Sequence, residues 1–267
     1  MADISAKLVK ELRDKTGAGM SDCKKALEEA GGDMQRAEEV LRERGAATAA
    51  KRADKEAREG AIVAAQSDDK KIATLLEINC ETDFVARSEG FVKFANAVAQ
   101  LALKHRAASP ADVLTLSMDA DFDHLPVPKA VEMMVGRVGE KIEISRVALV
   151  ENADGIAVAY IHPGAKLGSI VSLSGINGAS SDPIGKDLAM QVAASSPIAL
   201  ERSQVPPHLV EQEADRLEKF YQDVVLLEQP FIRDNAKTVT DVLHEASTRV
   251  KSTLTVRSFV RFQLGER

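Results

Sequence analysis

Over the first 45 positions apolar residues recur at helical spacing, interrupted by glycines. Ile4, Leu8 and Leu12, with Val9, form one stripe, which the run "TGAGM" breaks at Gly17 and Gly19. Ser21 or Asp22 is placed to cap a second helix, "DCKKALEEA", ending at Gly31-Gly32. Asp33 is placed to cap a third, with Met34, Ala37 and Leu41 inward and Gly45 as its stop. Residues 1–45 therefore read as a three-helix domain. The next stretch, 46–59, "AATAAKRADKEARE", is Ala-rich and charged, with no large apolar residue. It reads as a helical linker with nothing to bury.

After Gly60 the period changes to that of strands. "AIVAAQS", a turn at "DDKK" and "IATLLEIN" predict a hairpin. A helix follows, with Phe91, Phe94, Ala95, Val98 and Leu101 on one face. After an irregular stretch come a helix from Pro128 to Arg137 and the strand "KIEISRVALV". The pattern then repeats: "GIAVAYIHPGAKLGSIVSLS" from Gly155 aligns without a gap on "GAIVAAQSDDKKIATLLEIN" from Gly60, and a helix, "GKDLAMQVAAS", follows the second copy too. This predicts two related α+β subdomains, 60–150 and 151–267, with antiparallel sheets covered by helices. Downstream, "PPHLVEQEADRLEKFYQDVVLL" reads as one amphipathic helix started by Pro206-Pro207. "TVTDVLHEAS" reads as a helix capped by Thr238 or Thr240, and "TLTVRSFVRFQLG" as the last strand. The fold class expected is α+β.

Composition narrows the function classes. The chain has 267 residues, 45% of them hydrophobic and 28% charged, enough for a sizeable core. A formal net charge of −6, no Trp and only 4% aromatic residues argue against a nucleic-acid grip. The N-terminal run has no apolar signal core, and nowhere do apolar residues run long enough for a membrane span. Two distant cysteines, Cys23 and Cys80, make no disulfide framework. A soluble, cytoplasmic protein is expected.

Chemistry-bearing motifs are scarce. There is no P-loop, Rossmann fingerprint, His-x-x-x-His or Cys-x-x-Cys. A set of Cys80, His162 and Asp83 can be drawn, but Cys80 directly follows an apolar strand, where an inert buried thiol is the default. No catalytic residue, metal or cofactor is assigned.

One residue stands apart. In "INCETDFVARSEGF", Phe84 lies in a polar connection between a strand and an amphipathic helix. Either it folds back to cap the sheet, or it projects. Three features favour projection. Thr82-Asp83 is a good helix start, Phe91, Phe94 and Val98 already define the covered face, and Asp83 and Arg87 flank the ring with charge.

Two runs carry a resemblance: "LRDKTGAGMSDCKKAL", Leu12 to Leu27, and "EINCETDFVAR", Glu77 to Arg87. Both are long and specific, and the chain resembles the bacterial elongation factor Ts family from Ile4 to Glu266. The resemblance implies guanine-nucleotide exchange on elongation factor Tu as protein partner, with no covalent chemistry, no direct nucleic-acid contact and no membrane. It implies that Thr82, Asp83, Phe84 and Val85 enter the partner's GTPase domain near its magnesium and phosphate site. It also implies further partner contacts at Arg13, Met20, Lys24, Val138, Gly139 and His162. Plainer roles compete: Met20 could fill the bundle, Lys24 be a solvated charge, and Gly139 only turn the chain. Two departures are expected, a reduced coiled-coil insert before "DRLEKFYQDVVLLEQPFI" and the absence of a C-terminal module. An adaptor that binds without changing nucleotide release is the alternative reading.

Overall fold

The computed structural model describes residues 4–180 and 182–266; positions 1–3, 181 and 267 of the expected domains lie outside the described residues. In chain order the elements begin with α1 (Ala6–Thr16), α2 (Met20–Glu29), α3 (Met34–Arg52), β1 (Glu59–Gln66), β2 (Ile72–Cys80) and α4 (Asp83–Ala86). They continue with α5 (Glu89–His105), α6 (Pro110–Leu114), α7 (Val127–Val138), β3 (Glu143–Glu151), β4 (Gly155–Ile161) and β5 (Leu167–Ser174). The remainder is α8 (Ile184–Ser195), α9 (Pro207–Gln212), α10 (Leu217–Val224), β6 (Pro230–Phe231), β7 (Asp234–Thr238), α11 (Val239–Val250) and β8 (Thr255–Gln263). The sheets are ordered β1-β2-β3, β4-β5-β8 and β6-β7. Helices with antiparallel hairpins make the α+β class expected.

The chain forms two compact units. The first holds the chain up to Ala61 with Ile78–Ala97 and Pro110–Ser145; the second holds Ile62–Glu77, Val98–Ser109 and the chain from Arg146.

In the first unit α1, α2 and α3 enclose Val9, Leu12, Cys23, Ala26, Leu27, Ala37 and Val40. Ser5 caps α1 by accepting from the Leu8 N–H, and Asp33 caps α3 by accepting from the Arg36 N–H. The α2 cap differs from expectation. The helix begins at Met20 with Gly19 as N-cap and no side-chain cap, so Ser21 and Asp22 are already inside it. A larger difference concerns α3, which runs through Gly45 to Arg52. Gly45 is buried, and a Cβ built there would lie 2.9 Å from the Glu132 carbonyl oxygen of α7. The glycine is thus a crossing point between two helices rather than a stop, and part of the stretch read as a linker is the far half of α3.

In the second unit β5 is central. It pairs antiparallel with β4, where Val158 faces Val171, and with β8, where Val171 faces Phe259. A register shift between Ser172 and Leu173 lets Leu173 face Val256. One face of the sheet joins α8 and α11 around Val171, Leu173, Leu188, Val192, Leu243 and Ala246. Ile170 and Ala157, on the other face, pack with Ile62, Ala73 and Leu75 of the first hairpin.

The repeat is visible in the backbone. A Cβ on Gly60 would strike the Ile78 carbonyl oxygen and come 2.7 Å from the Asn79 Cα. One on Gly155 would strike the Leu173 carbonyl oxygen and come 2.8 Å from the Ser174 Cα. These partners occupy matching positions of the two aligned segments, so both copies use a glycine for the same close approach of two strands.

The segment from Pro206 is not one helix. It breaks into α9, a 3-10 turn at Ala214–Arg216, and α10. An unbroken helix would put Glu213 and Arg216 on the stripe shared by Leu209, Leu217 and Phe220. The chain instead breaks there, and Arg216 pairs with Glu213 in solvent. Leu209, Val210, Phe220 and Tyr221 still reach a common small core with Val205 and Val225. Thr238, not Thr240, caps α11, in a full capping box with Asp241. The short β6-β7 pair had no counterpart in the sequence pattern.

Candidate partner-binding site

Strand β2 is buried almost throughout and ends at Cys80, whose side chain has no exposure. The chain must leave the sheet here, and Thr82 takes extended geometry at φ −126° and ψ 154° as the N-cap of α4. Its hydroxyl accepts from the Val85 N–H at 3.4 Å. The resulting helix is a single turn. Ala86 faces inward, Val85 is half-buried, and Phe84 is 84% exposed. Asp83 pairs with Arg87 at 2.9 Å beside it. Full burial of a Phe side chain is worth about 1.5–3 kcal/mol, and folding leaves almost all of this unused at Phe84.

Two carboxylates whose role was not read from the sequence, Glu81 and Glu140, hold the turn. The Thr82 N–H donates to Glu140 Oε2 at 2.9 Å, and the Thr82 hydroxyl donates to Glu140 Oε1 at 2.7 Å. In return the Lys141 N–H donates to Glu81 Oε1 at 2.7 Å. The two segments 81–82 and 140–141 therefore exchange side-chain-to-backbone bonds in both directions. Arg52, in the last turn of α3, adds two bonds to Glu81 at 2.8 and 2.7 Å. The Lys141 N–H, with Arg52 in support, holds the Glu81 carboxyl below its ordinary value. Gly139 makes the return possible. It ends α7 in the left-handed region, at φ 73°, with its N–H on the Val135 carbonyl, and so turns Glu140 toward Thr82. The only signals available in the sequence were a Glu just before Thr-Asp and a Glu just after a helix-ending glycine.

The other expected contacts fall as follows. Arg13 is exposed in the last turn of α1. Met20, in the first turn of α2, is 47% exposed, so it does not fill the bundle. Lys24 lies one turn further along α2, on the same face, 3.7 Å from Glu28. Val138 is half-buried at the end of α7, next to Gly139. His162 lies in the second unit, exposed just past the end of β4, with its Nδ1 3.0 Å from the Tyr160 hydroxyl.

Cys80 has the features of a structural thiol. Burial, with the nearby Glu140 charge, pushes it up to about 12, and its S–H donates to the Thr82 carbonyl at 3.1 Å. Such a thiol carries essentially no thiolate near neutrality, and Asp83 and His162 are engaged with Arg87 and Tyr160 instead.

Comparison with known proteins places this geometry in context. The family profile described as Elongation factor TS matches residues 81–216 and 214–266. The two matched segments meet at 214–216, the broken turn between α9 and α10. A protein of Chloroherpeton thalassium named Elongation factor Ts is 47% identical over 289 aligned positions, covering all of both chains. Proteins of the same name from Chlorobium phaeovibrioides and Chlorobium limicola are each 48% identical, again over all of both chains. The alignments exceed the 267 residues of this chain, so these relatives carry residues without a counterpart here.

Proposed function

The chain belongs to the elongation factor Ts family, and from that premise we propose that it is a guanine-nucleotide exchange factor for elongation factor Tu that works by inserting Phe84 beside the partner's magnesium and phosphate site. The observation that carries the reading is the 84% exposure of Phe84 at the tip of a one-turn helix held by carboxylates on either side.

A GTPase holds a nucleoside diphosphate with backbone N–H groups, a lysine and Mg²⁺, all preset in position. A ring pushed against the elements that carry those groups moves them without touching the nucleotide. Each 1.4 kcal/mol of lost stabilisation is tenfold in affinity, so displacement of a few contacts accelerates release strongly. Nucleotide and exchange factor then weaken each other's binding by equal factors. No bond is made or broken, and the factor is not an enzyme of covalent chemistry. It works where its partner works, in the cytoplasm.

Thr82 and Val85 set the helix turn, Asp83 lies at its base, and Phe84 is the inserted group. Arg13, Met20 and Lys24 of the three-helix module make a second contact with the GTPase domain, beside Val138 and Gly139. His162 meets another domain of the partner. Exposed Met20 and Lys24 on one helix face suit this role.

The test is release of fluorescent GDP from elongation factor Tu, chased with unlabelled GDP, with and without this protein. Acceleration is expected. An unchanged release rate despite binding would favour an adaptor and defeat the exchange reading.

A further inference from the structure

We propose that Glu140 is a positioning residue for Phe84: its carboxylate grips the Thr82 N–H and hydroxyl together and thereby fixes the direction in which the ring leaves the protein. This inference rests on the exchange reading given above.

The reason lies in the length of α4. It has four residues, and one helical turn is an unfavourable nucleus that cannot hold its own orientation. Its direction is therefore set by what its N-cap is attached to. Thr82 is that cap, and its side chain does two things at once. The oxygen accepts from the Val85 N–H, while the O–H donates to Glu140 Oε1. A hydroxyl has one proton and two lone pairs. With the proton committed to Glu140, a lone pair is left facing the helix, which is the state a cap requires. The second oxygen of the same carboxylate takes the Thr82 backbone N–H. Both backbone and side chain of the cap are thus pinned by one rigid, acceptor-only group, through bonds of the stronger, charge-assisted kind.

Glu140 itself is held. It follows Gly139, whose left-handed geometry ends α7, and it precedes Lys141, whose N–H is bound by Glu81. The carboxylate thus projects from a fixed stretch of backbone, 58 residues away in sequence from the residue it holds. It has no assigned contact with the partner. Its effect on exchange is exerted through Thr82 and the helix that Thr82 starts.

Glu140→Ala removes both acceptors. Glu140→Gln keeps the volume and one good acceptor, and loses the charge. A merely structural residue would slow exchange whatever stands at position 84, whereas a positioning residue matters only while the ring is present. The experiment measures fluorescent GDP release from elongation factor Tu at saturating exchange factor for wild type, Glu140→Ala, Glu140→Gln, Phe84→Ala and the double variant Glu140→Ala/Phe84→Ala. Circular dichroism checks that each variant is folded.

The expected result is a loss on the order of tenfold for Glu140→Ala, a smaller loss for Glu140→Gln, and no further loss on adding Glu140→Ala to Phe84→Ala. Equal losses in the two backgrounds would overturn the positioning role, as would wild-type rates for both Glu140 variants while Phe84→Ala is slow. A wild-type rate for Phe84→Ala would overturn the wedge, and the positioning role with it, whereas no acceleration by the wild-type protein would overturn the exchange reading itself. If Glu140→Ala does not fold, Glu140→Gln decides by the same comparison in a Phe84→Ala background.

Discussion

Gly45 of α3 and Gly136 of α7 lie against one another without room for a side chain: a Cβ on Gly136 would come 2.8 Å from the Gly45 Cα. The crossing brings α7 against the length of α3 that passes Gly45. It also gives the Ala-rich, charged half of that helix a partner, which composition alone did not suggest. Replacing Gly45 with leucine should force the helices apart at a cost of about 1–3 kcal/mol, the usual range for overpacking. Urea denaturation of Gly45→Leu and wild type would show this as a lower midpoint. An exposed position on the same helix, such as Gln35, should tolerate leucine within about 0.5 kcal/mol.

Gly60 and Gly155 make a paired prediction. Each meets a carbonyl oxygen and a Cα of its opposing strand at corresponding positions of the repeat. Gly60→Ala and Gly155→Ala should both lower the thermal midpoint, with Gly60→Ala the worse because φ is also +145° there. A side chain tolerated at one position and not at the other would mean that the copies differ in backbone geometry.

Cys23 and Cys80 are both buried, and burial raises both thiols above the ordinary value, Cys80 to about 12. Native protein at pH 8 should resist alkylation by iodoacetamide at either position, while protein in denaturant should react at both. The readout is intact mass with time.

Glu81 gives a pH dependence with a definite sign. Its carboxyl is held below the ordinary carboxylate value when folded, so its contribution to stability is present above the unfolded value. It is lost as pH falls through the lower, folded value. Glu81→Gln should therefore flatten part of the acid limb of the stability curve, measured by urea midpoints at falling pH. Arg52→Met should flatten it only in part, because the Lys141 N–H, the largest single cause of the shift, still bonds Glu81.

What the sequence made legible follows from range. The helix cap at Asp33, the duplicated hairpin and the exposed Phe84 depend on neighbours a few residues away, and pattern reading reached them; it narrowed the α11 cap to Thr238 or Thr240, of which the structure uses Thr238. Gly45 was read as a stop because a glycine before an apolar-poor stretch has that meaning locally; its partner Gly136 is remote in sequence. Glu140 escaped for the same reason, since its significance depends on Thr82, 58 positions earlier. The break at Glu213–Arg216 was foreshadowed by two charges on an apolar stripe, a feature that an average over the segment conceals.

The most direct test of the wedge is the rate of GDP release from elongation factor Tu driven by Phe84→Ala at matched concentrations. Because the ring is 84% exposed, its loss should leave the unfolding midpoint of the protein unchanged. The account predicts a folded variant whose exchange is slower by at least tenfold, the equivalent of about 1.4 kcal/mol of displaced contacts. A folded Phe84→Ala protein that exchanges nucleotide at the wild-type rate would contradict it.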